Sequence, residues 1–395
     1  MSPRIVRLAI AALAVAACVN LAAGATLALR DPSRASDLQM MTGWCSRWLA
    51  GDSLYTAADA ATDYPPNAIV MLSPMALLPW PWLVPLWTAF ALALAPALAF
   101  LVVRLVSRGD PVAAAVPMLL FLCWTSSRTL LQFTALSMAL AWLSVRFVDS
   151  HRLVSGVALG LALFKPHIAG PIALWALVTG RARVVIVAAA VVIAGWAAYD
   201  ARIGENPLTT LAGYYGVLGR LHAGPDGLVG RTGLRGLTTI LAGDSRVADA
   251  WWIAGSAFVL AGIVWLARRD PRRPLAAGGL AITSLFCLWS LFAFYHNTNN
   301  LIMMLPAFVF VWLVDDRPGS PQRWVPILLL QAALMFDVPT RLGPRMPPDH
   351  WAAPAVEHFD RALVVATLVY VALRWCRLTL RTDEGPRTKD QGLRV

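Results

Sequence analysis

Lysine is nearly missing from this chain. Of 33 basic residues among 395, only Lys165 and Lys389 are lysines, and the rest are arginines. Charge of either sign is scarce: 14% of residues are charged and 58% are apolar, against roughly a quarter charged in a soluble domain. That balance excludes an ordinary cytosolic enzyme. Cysteine is sparse too. Cys18, Cys45, Cys123, Cys287 and Cys376 form no CxxC pair and have no histidine at metal spacing, so neither a disulfide framework nor a zinc site is expected. The chain contains no GxxxxGK[ST] loop and no room for a Rossmann unit. An ATP-driven pump and an enzyme with a cytosolic nucleotide-sugar domain are therefore disfavoured. With no carboxylate or histidine cluster at ligand spacing, the pattern asks for neither a metal nor a cofactor. No internal repeat stands out.

What the chain does have is long apolar runs. Leu83 to Val106 and Leu275 to Phe294 approach or exceed the roughly 18 residues that signal a bilayer span. Reading the runs between charges gives about twelve crossings, near 7–29, 82–106, 111–125, 129–147, 153–164, 168–180, 184–199, 250–267, 275–294, 299–314, 324–339 and 361–377. The fold class expected is an all-α polytopic integral membrane protein. Residues 1–380 form one membrane domain and 381–395 a disordered cytoplasmic tail. Several of these runs are short for a 30 Å hydrocarbon core, and short or broken spans survive only where protein or a cavity covers them. They point to a polar site enclosed within the membrane.

The formal charge of +11 invites a nucleic-acid reading until the charges are located. With the N-terminus inside, 20 of the 33 basic residues but only 8 of the 22 acidic ones fall on the inner face. The basic excess therefore orients the chain in the membrane by the positive-inside rule, and no nucleic-acid partner is expected. Both termini are placed in the cytoplasm of a bacterial-type plasma membrane. Arg4 and Arg7 before an apolar run resemble a signal peptide, but the run continues to Leu29 and reads better as an uncleaved first helix. The stretch 153–180 reads as two short spans meeting at Lys165-Pro166-His167. A single kinked helix would put the Arg268, Arg269, Arg272 and Arg273 cluster on the wrong side.

This topology leaves two long outer segments, Arg30 to Trp80 and Asp200 to about Asp249, and a shorter one, Thr340 to Asp360. The first contains Ser36-Asp37-Leu38, Gly51-Asp52-Ser53-Leu54-Tyr55 and Asp63-Tyr64-Pro65-Pro66. The prolines stiffen it, since each fixes φ and restricts its predecessor. The following apolar piece, Ala68 to Pro79, is too short to span and fits an interfacial or re-entrant segment. The second long segment holds Tyr214-Tyr215, Arg220, His222, Asp226, Arg231 and Arg235 among glycines, a composition that suits carbohydrate contact and a plain surface loop alike.

This ordered set resembles glycosyltransferase family 87, the membrane mannosyl- and arabinosyltransferases of GT-C type that use polyprenyl-phosphate sugars. The resemblance rests on Asp37 soon after the first helix, the Gly-x-x-Leu-Tyr turn, Tyr64-Pro65-Pro66 and the Pro-rich segment behind it. It continues through Gln132, Lys165-Pro166 and Tyr295-His296, and so covers roughly residues 30 to 300. It implies a GT-C-like architecture with an extracytoplasmic first loop. The partners it implies are the bilayer, a polyprenyl-phosphate sugar donor (mannose or arabinose) and a glycolipid or glycan acceptor.

An inverting transfer needs a base that removes the acceptor hydroxyl proton as it attacks the anomeric carbon, and the resemblance assigns that role to Asp37. Asp52 and Asp63 are the runners-up, with turn capping as their structural alternative. The donor's phosphate needs cationic or donor partners. Lys165, where two spans meet, is the first candidate because a base among spans is costly unless used, although snorkelling to headgroups would also place it there. Arg128 at another outer turn and His296, beside Tyr295, Asn297 and Asn299, complete the set. Asp52, Tyr64, Gln132 and Tyr295 are candidate substrate contacts. Trp44 and Trp48 near Asp37 are placed either to stack a sugar or to pack against the loop. A secondary transporter or lipid-glycan flippase is the alternative class, but its polar residues would gather at the midplane. A polysaccharide polymerase or ligase would carry its large loop late in the chain.

Overall fold

The structure is a computed structural model describing residues 3–31, 36–57, 62–106, 132–222, 238, 245–269, 277–294, 298–314, 342, 345–347, 350, 352, 356 and 359–383. Among these residues the chain is helical between short turns and contains no strand. The helices are α1 (Pro3–Arg30), α2 (Ser36–Ala50), α3 (Pro66–Leu72), α4 (Trp80–Val106), α5 (Thr134–Phe147), α6 (Arg152–Ala162), α7 (Pro166–Val178), α8 (Ala182–Ile203), α9 (Pro207–His222), α10 (Ser245–Arg269), α11 (Ala277–Ala293), α12 (Leu305–Val314) and α13 (Phe359–Asp383). Two 3₁₀ turns, Ser73–Leu77 and Thr298–Met304, precede α4 and α12.

Two described helices, Ala182–Ile203 and Arg246–Arg269, are by themselves long and apolar enough to cross a bilayer. Both present apolar side chains outward: Ile193 on α8 is 66% exposed and Phe258 on α10 is 82% exposed. Surface of that kind belongs against lipid, and the protein is a membrane protein. A third candidate is broken, because Pro66–Leu77 meets Trp80–Leu94 at 118°. The segment 68–79 thus folds across the end of α4, as an interfacial or re-entrant piece would. The expected crossings at 111–125 and 324–339 lie outside the described residues, as does the tail after Asp383.

The shorter helices are packed against protein. Residues 279–291 of α11 are buried almost without interruption, which marks it as the central helix of the main core. Side-chain pairings give the directions around it. Ser144 bonds Ser155, and Ser137 bonds the Ala162 carbonyl, so α5 and α6 are antiparallel. Gly156 packs on Val184 and Val187 while Gly160 packs on Ala188 and Val191, so α6 and α8 are parallel. Between them α7 must run back. Arg181 grips Asp149 through two bonds of 3.0 and 3.3 Å, which joins the α5–α6 and α7–α8 turns at one end. Lys165 is at the opposite end, between two antiparallel helices rather than within one kinked helix.

That far end has a second hydrophobic cluster. It contains Leu38, Met41, Cys45 and Trp48 of α2, Leu54 and Tyr55, Ala68 and Ile69 of α3, Trp87, Phe133, Phe164, Tyr199 and Tyr214. In α2 the buried residues recur at helical spacing, an amphipathic pattern hidden in sequence by the polar residues on its other face. The segment after α8 also begins as a helix. In α9, Thr210, Tyr214 and Val217 turn inward and Pro207 occupies the start, where a missing N–H costs nothing.

Candidate functional site

Lys165 sits where the two cores meet. Phe164 before it belongs to the second cluster and Ile168 after it to the main core. Pro166 opens α7 and restricts the preceding residue to extended backbone, and Lys165 has φ −122° and ψ 80°. The side chain is therefore turned into protein, where it is 7% exposed. Its Nζ donates to Thr134 Oγ1 at 2.8 Å and stands 5.6 Å from the Tyr64 ring centroid. Thr134 Oγ1 in turn lies 3.5 Å from Asn300 Oδ1. Lys165 is outside both flanking helices. Burial pulls its ammonium down to about 8, opposed by the Asp37 and Asp63 carboxylates. Burial disfavours the charged form of this lysine and the two carboxylates favour it.

The first loop is fixed around this point by aromatic hydroxyls and indoles. Tyr55 donates to the Tyr64 carbonyl at 2.7 Å, and Tyr214 to the Asp63 carbonyl at 3.4 Å. Trp196 Nε1 holds Asn67 Oδ1 at 3.2 Å. The Leu54 amide donates to the Tyr199 hydroxyl at 2.9 Å, and Trp48 Nε1 to the Tyr199 carbonyl at 3.3 Å. A Cβ on Gly213 would lie 2.9 Å from the Tyr55 carbonyl oxygen, so only glycine lets α9 approach that closely. Together these contacts clamp the Asp63-Tyr64-Pro65-Pro66 stretch on both sides. Burial pushes the Tyr64 phenol well up, and Asp63 and then Asp37 add to the effect, so Tyr64 stays a neutral hydroxyl.

Asp37, Tyr64 and Lys165, expected together from sequence, are thus brought into one neighbourhood, and Asp63 joins them. Asp37 is half-buried in the first turn of α2, where a carboxylate also favours the helix N-terminus. Asp52 is elsewhere. It follows Gly51, whose φ of 97° closes the helix; its backbone amide donates to the Arg47 carbonyl at 3.0 Å, and its carboxylate faces solvent 3.8 Å from Arg47 Nε. Gln132 is half-buried two residues before Thr134. Arg128, Tyr295 and His296 lie outside the described residues. Both flanks of 295–297 nevertheless reach the lysine turn: Ser290 Oγ donates to the His167 carbonyl at 3.1 Å, and Asn300 meets Thr134.

Thr134 and Asn300 are not among the residues that the sequence singles out. A signal is present for Thr134, a polar residue inside an apolar run that needs a partner, whereas Asn300 closes the polar stretch His296 to Asn300. Among the described residues no group of three or more His, Cys, Asp or Glu side chains is placed to hold a metal ion. The arrangement sets a buried cation beside two carboxylates and the ring of Tyr64.

One comparison with known proteins gives a match. The family model of glycosyltransferase family 87 aligns with residues 62–294, more than half of the chain, from the Asp63-Tyr64-Pro65-Pro66 stretch to the end of α11. No curated protein and no solved structure matches.

Proposed function

Because the chain belongs to glycosyltransferase family 87, we propose that it moves a sugar, mannose or arabinose, from a polyprenyl-phosphate donor to a lipid-linked or polysaccharide acceptor. The observation that carries this reading is the Lys165 ammonium, buried against Thr134 and Tyr64 with Asp37 and Asp63 acting on it. A phosphate on Lys165 and a hydroxyl at Asp37 would bring donor and acceptor together.

In the step proposed, the acceptor oxygen attacks the anomeric carbon and its proton passes to the Asp37 carboxylate. The bond from the anomeric carbon to the phosphate oxygen breaks. Polyprenyl phosphate leaves with the electron pair, and its charge is met by Lys165, held by Thr134, with Arg128 and His296 as further partners. Charge that develops on the leaving group inside a low-dielectric site is where a fixed ammonium contributes most. Asp63 is the second carboxylate of the pair.

The proposed setting is the outer face of a plasma membrane, with about twelve spans in a GT-C arrangement over residues 1–380 and both termini in the cytoplasm. The charge distribution supports this orientation. Polar residues gathered at one end, and not at the midplane, weigh against a transporter. The test supplies membranes carrying the protein with labelled polyprenyl-phosphate mannose and polyprenyl-phosphate arabinose. Protein-dependent transfer of label from either donor supports the reading. Silence with both, from membranes in which the protein is present and folded, contradicts it.

A further inference from the structure

We infer that Asp200 and Glu205 form a binding site for a divalent cation of calcium type, built between the end of α8, the start of α9 and the first loop. The turn between the two helices creates it. Were α8 to continue, Glu205 would project about 140° around the helix from Asp200. Gly204 instead takes a φ of 70° and ends the helix with its N–H on the Asp200 carbonyl, the left-handed stop that glycine favours. Pro207 then opens α9, which returns Thr210 to the same place. Thr210 Oγ1 lies 2.6 Å from Asp200 Oδ1 and 3.4 Å from Glu205 Oε2.

The charge gathered there is uncompensated. Asp200 is 4% exposed, and among the described residues its Oδ2 is buried without a hydrogen-bond partner. Glu205 is half-buried, and neither carboxylate is in an ion pair among the described residues. Arg202, between them in sequence, is turned to the Leu49 carbonyl instead. The Thr210 hydroxyl carries a single proton. At 2.6 Å that proton belongs to Asp200, which leaves none for Glu205 Oε2. A buried carboxylate with one oxygen unbonded, facing a second carboxylate across one hydroxyl, is costly. A cation held by both removes that cost.

The donors select the ion. They are oxygens, from two carboxylates and the Thr210 hydroxyl, and more hydroxyls stand behind them. Thr56 Oγ1 lies 2.6 Å from Glu205 Oε1 and 2.7 Å from Ser53 Oγ. Oxygen ligands with two formal charges suit a hard divalent cation, and calcium accepts the irregular geometry that three separate elements impose. With only two carboxylates the affinity falls at the weak end of calcium sites, about 10⁻⁴–10⁻³ M. The ion fixes Glu205 and, through Thr56, the Ser53–Tyr55 turn. That turn already meets the Tyr199 hydroxyl through the Leu54 amide and the Tyr64 carbonyl through the Tyr55 hydroxyl.

The experiment titrates calcium chloride into the full-length protein, purified in a neutral detergent and stripped with a chelator, and follows the melting temperature at matched ionic strength. Wild type should gain about 2 °C or more by 10 mM calcium, with saturation. Asp200→Asn and Glu205→Gln each delete one charge and keep the side-chain size, and each should lose most of that gain. Asp52→Asn, at a carboxylate that faces solvent, should keep it. A wild-type melting temperature indifferent to calcium, or gains of the same size in Asp200→Asn and Glu205→Gln, overturns the inference. So does a melting temperature that follows pH alone, which marks a proton shared by the two carboxylates.

Discussion

Lys165 donates a 2.8 Å hydrogen bond to Thr134, and the hydroxyl that receives it lies 3.5 Å from the Asn300 side chain. Through this pair the turn between α6 and α7, the start of α5 and the 3₁₀ turn before α12 are held at one point. The hydroxyl can accept from the ammonium while its own proton turns to Asn300. Thr134→Val removes both bonds without changing side-chain volume, and leaves a buried ammonium with one partner fewer. The donor KM is expected to rise about tenfold, in line with roughly 1–3 kcal/mol for a lost bond to a charged group, and Thr134→Ser should recover it. Steady-state kinetics at saturating acceptor measure this.

Burial lowers Lys165 to about 8, which gives donor binding a pH signature. The ammonium that holds phosphate is present below that value and is lost as pH rises through it. Donor KM should therefore increase above about pH 8 instead of above the ordinary lysine range. Lys165→Arg keeps a permanent charge, so its donor KM should lack this alkaline limb whatever its absolute value. Lys165→Met should raise donor KM at every pH in the range.

Tyr55 is tied to Tyr64 by its hydroxyl at 2.7 Å. Tyr55→Phe keeps the packing and deletes that bond, so global stability should fall by about 1 kcal/mol. Loosening of the Tyr64 segment should also lower kcat. A thermal melt of the purified protein, with parallel kinetics, separates the two effects.

The close approach of α9 to the first loop has its own test. Gly213→Ala places a methyl 2.9 Å from the Tyr55 carbonyl oxygen, where neither backbone yields readily. A loss of about 1–3 kcal/mol is expected. Gly219, on the same helix, has open space for 4 Å around the place a methyl would take. Gly219→Ala should be neutral or slightly stabilising. Melting temperatures of the two variants give the comparison.

The orientation is tested by labelling. Single cysteines at Ser53 and at Arg183, in a protein otherwise free of reactive cysteine, should react with a membrane-impermeant maleimide from opposite sides. Reaction of Arg183→Cys in intact cells would reverse the topology.

The all-helical, membrane-bound character of the chain is legible in the sequence because lipid imposes one rule, the long apolar run, that survives without tertiary context. The junction at Lys165-Pro166 is readable for the same reason, since proline and a lone lysine interrupt such a run. The helices of the outer segments are not legible as helices. In α2 the inward stripe of Leu38, Met41, Cys45 and Trp48 alternates with Gln39, Thr42 and Ser46, and a 15-residue helix of that mixture forms because α3 and Tyr199 cover one side. For the site, Asp37, Tyr64 and Lys165 stand out through family spacing and the cost of a buried charge. Thr134 and Asn300 do not, because a threonine or asparagine costs little in a sequence pattern, and its value appears only when a lysine from another turn reaches it. A Gly-Asp pair after a helix, as at Gly51-Asp52, reads the same in sequence whether its carboxylate faces solvent or a substrate.

The most direct test is transfer by Asp37→Asn. Asparagine keeps the size of the side chain and its place on α2 but accepts no proton at neutral pH. With the donor that wild type uses, this variant should still bind the polyprenyl-phosphate sugar and transfer it at least about a thousandfold more slowly, the upper part of the range for loss of a general base. Transfer at the wild-type rate by a correctly expressed Asp37→Asn protein would contradict the account.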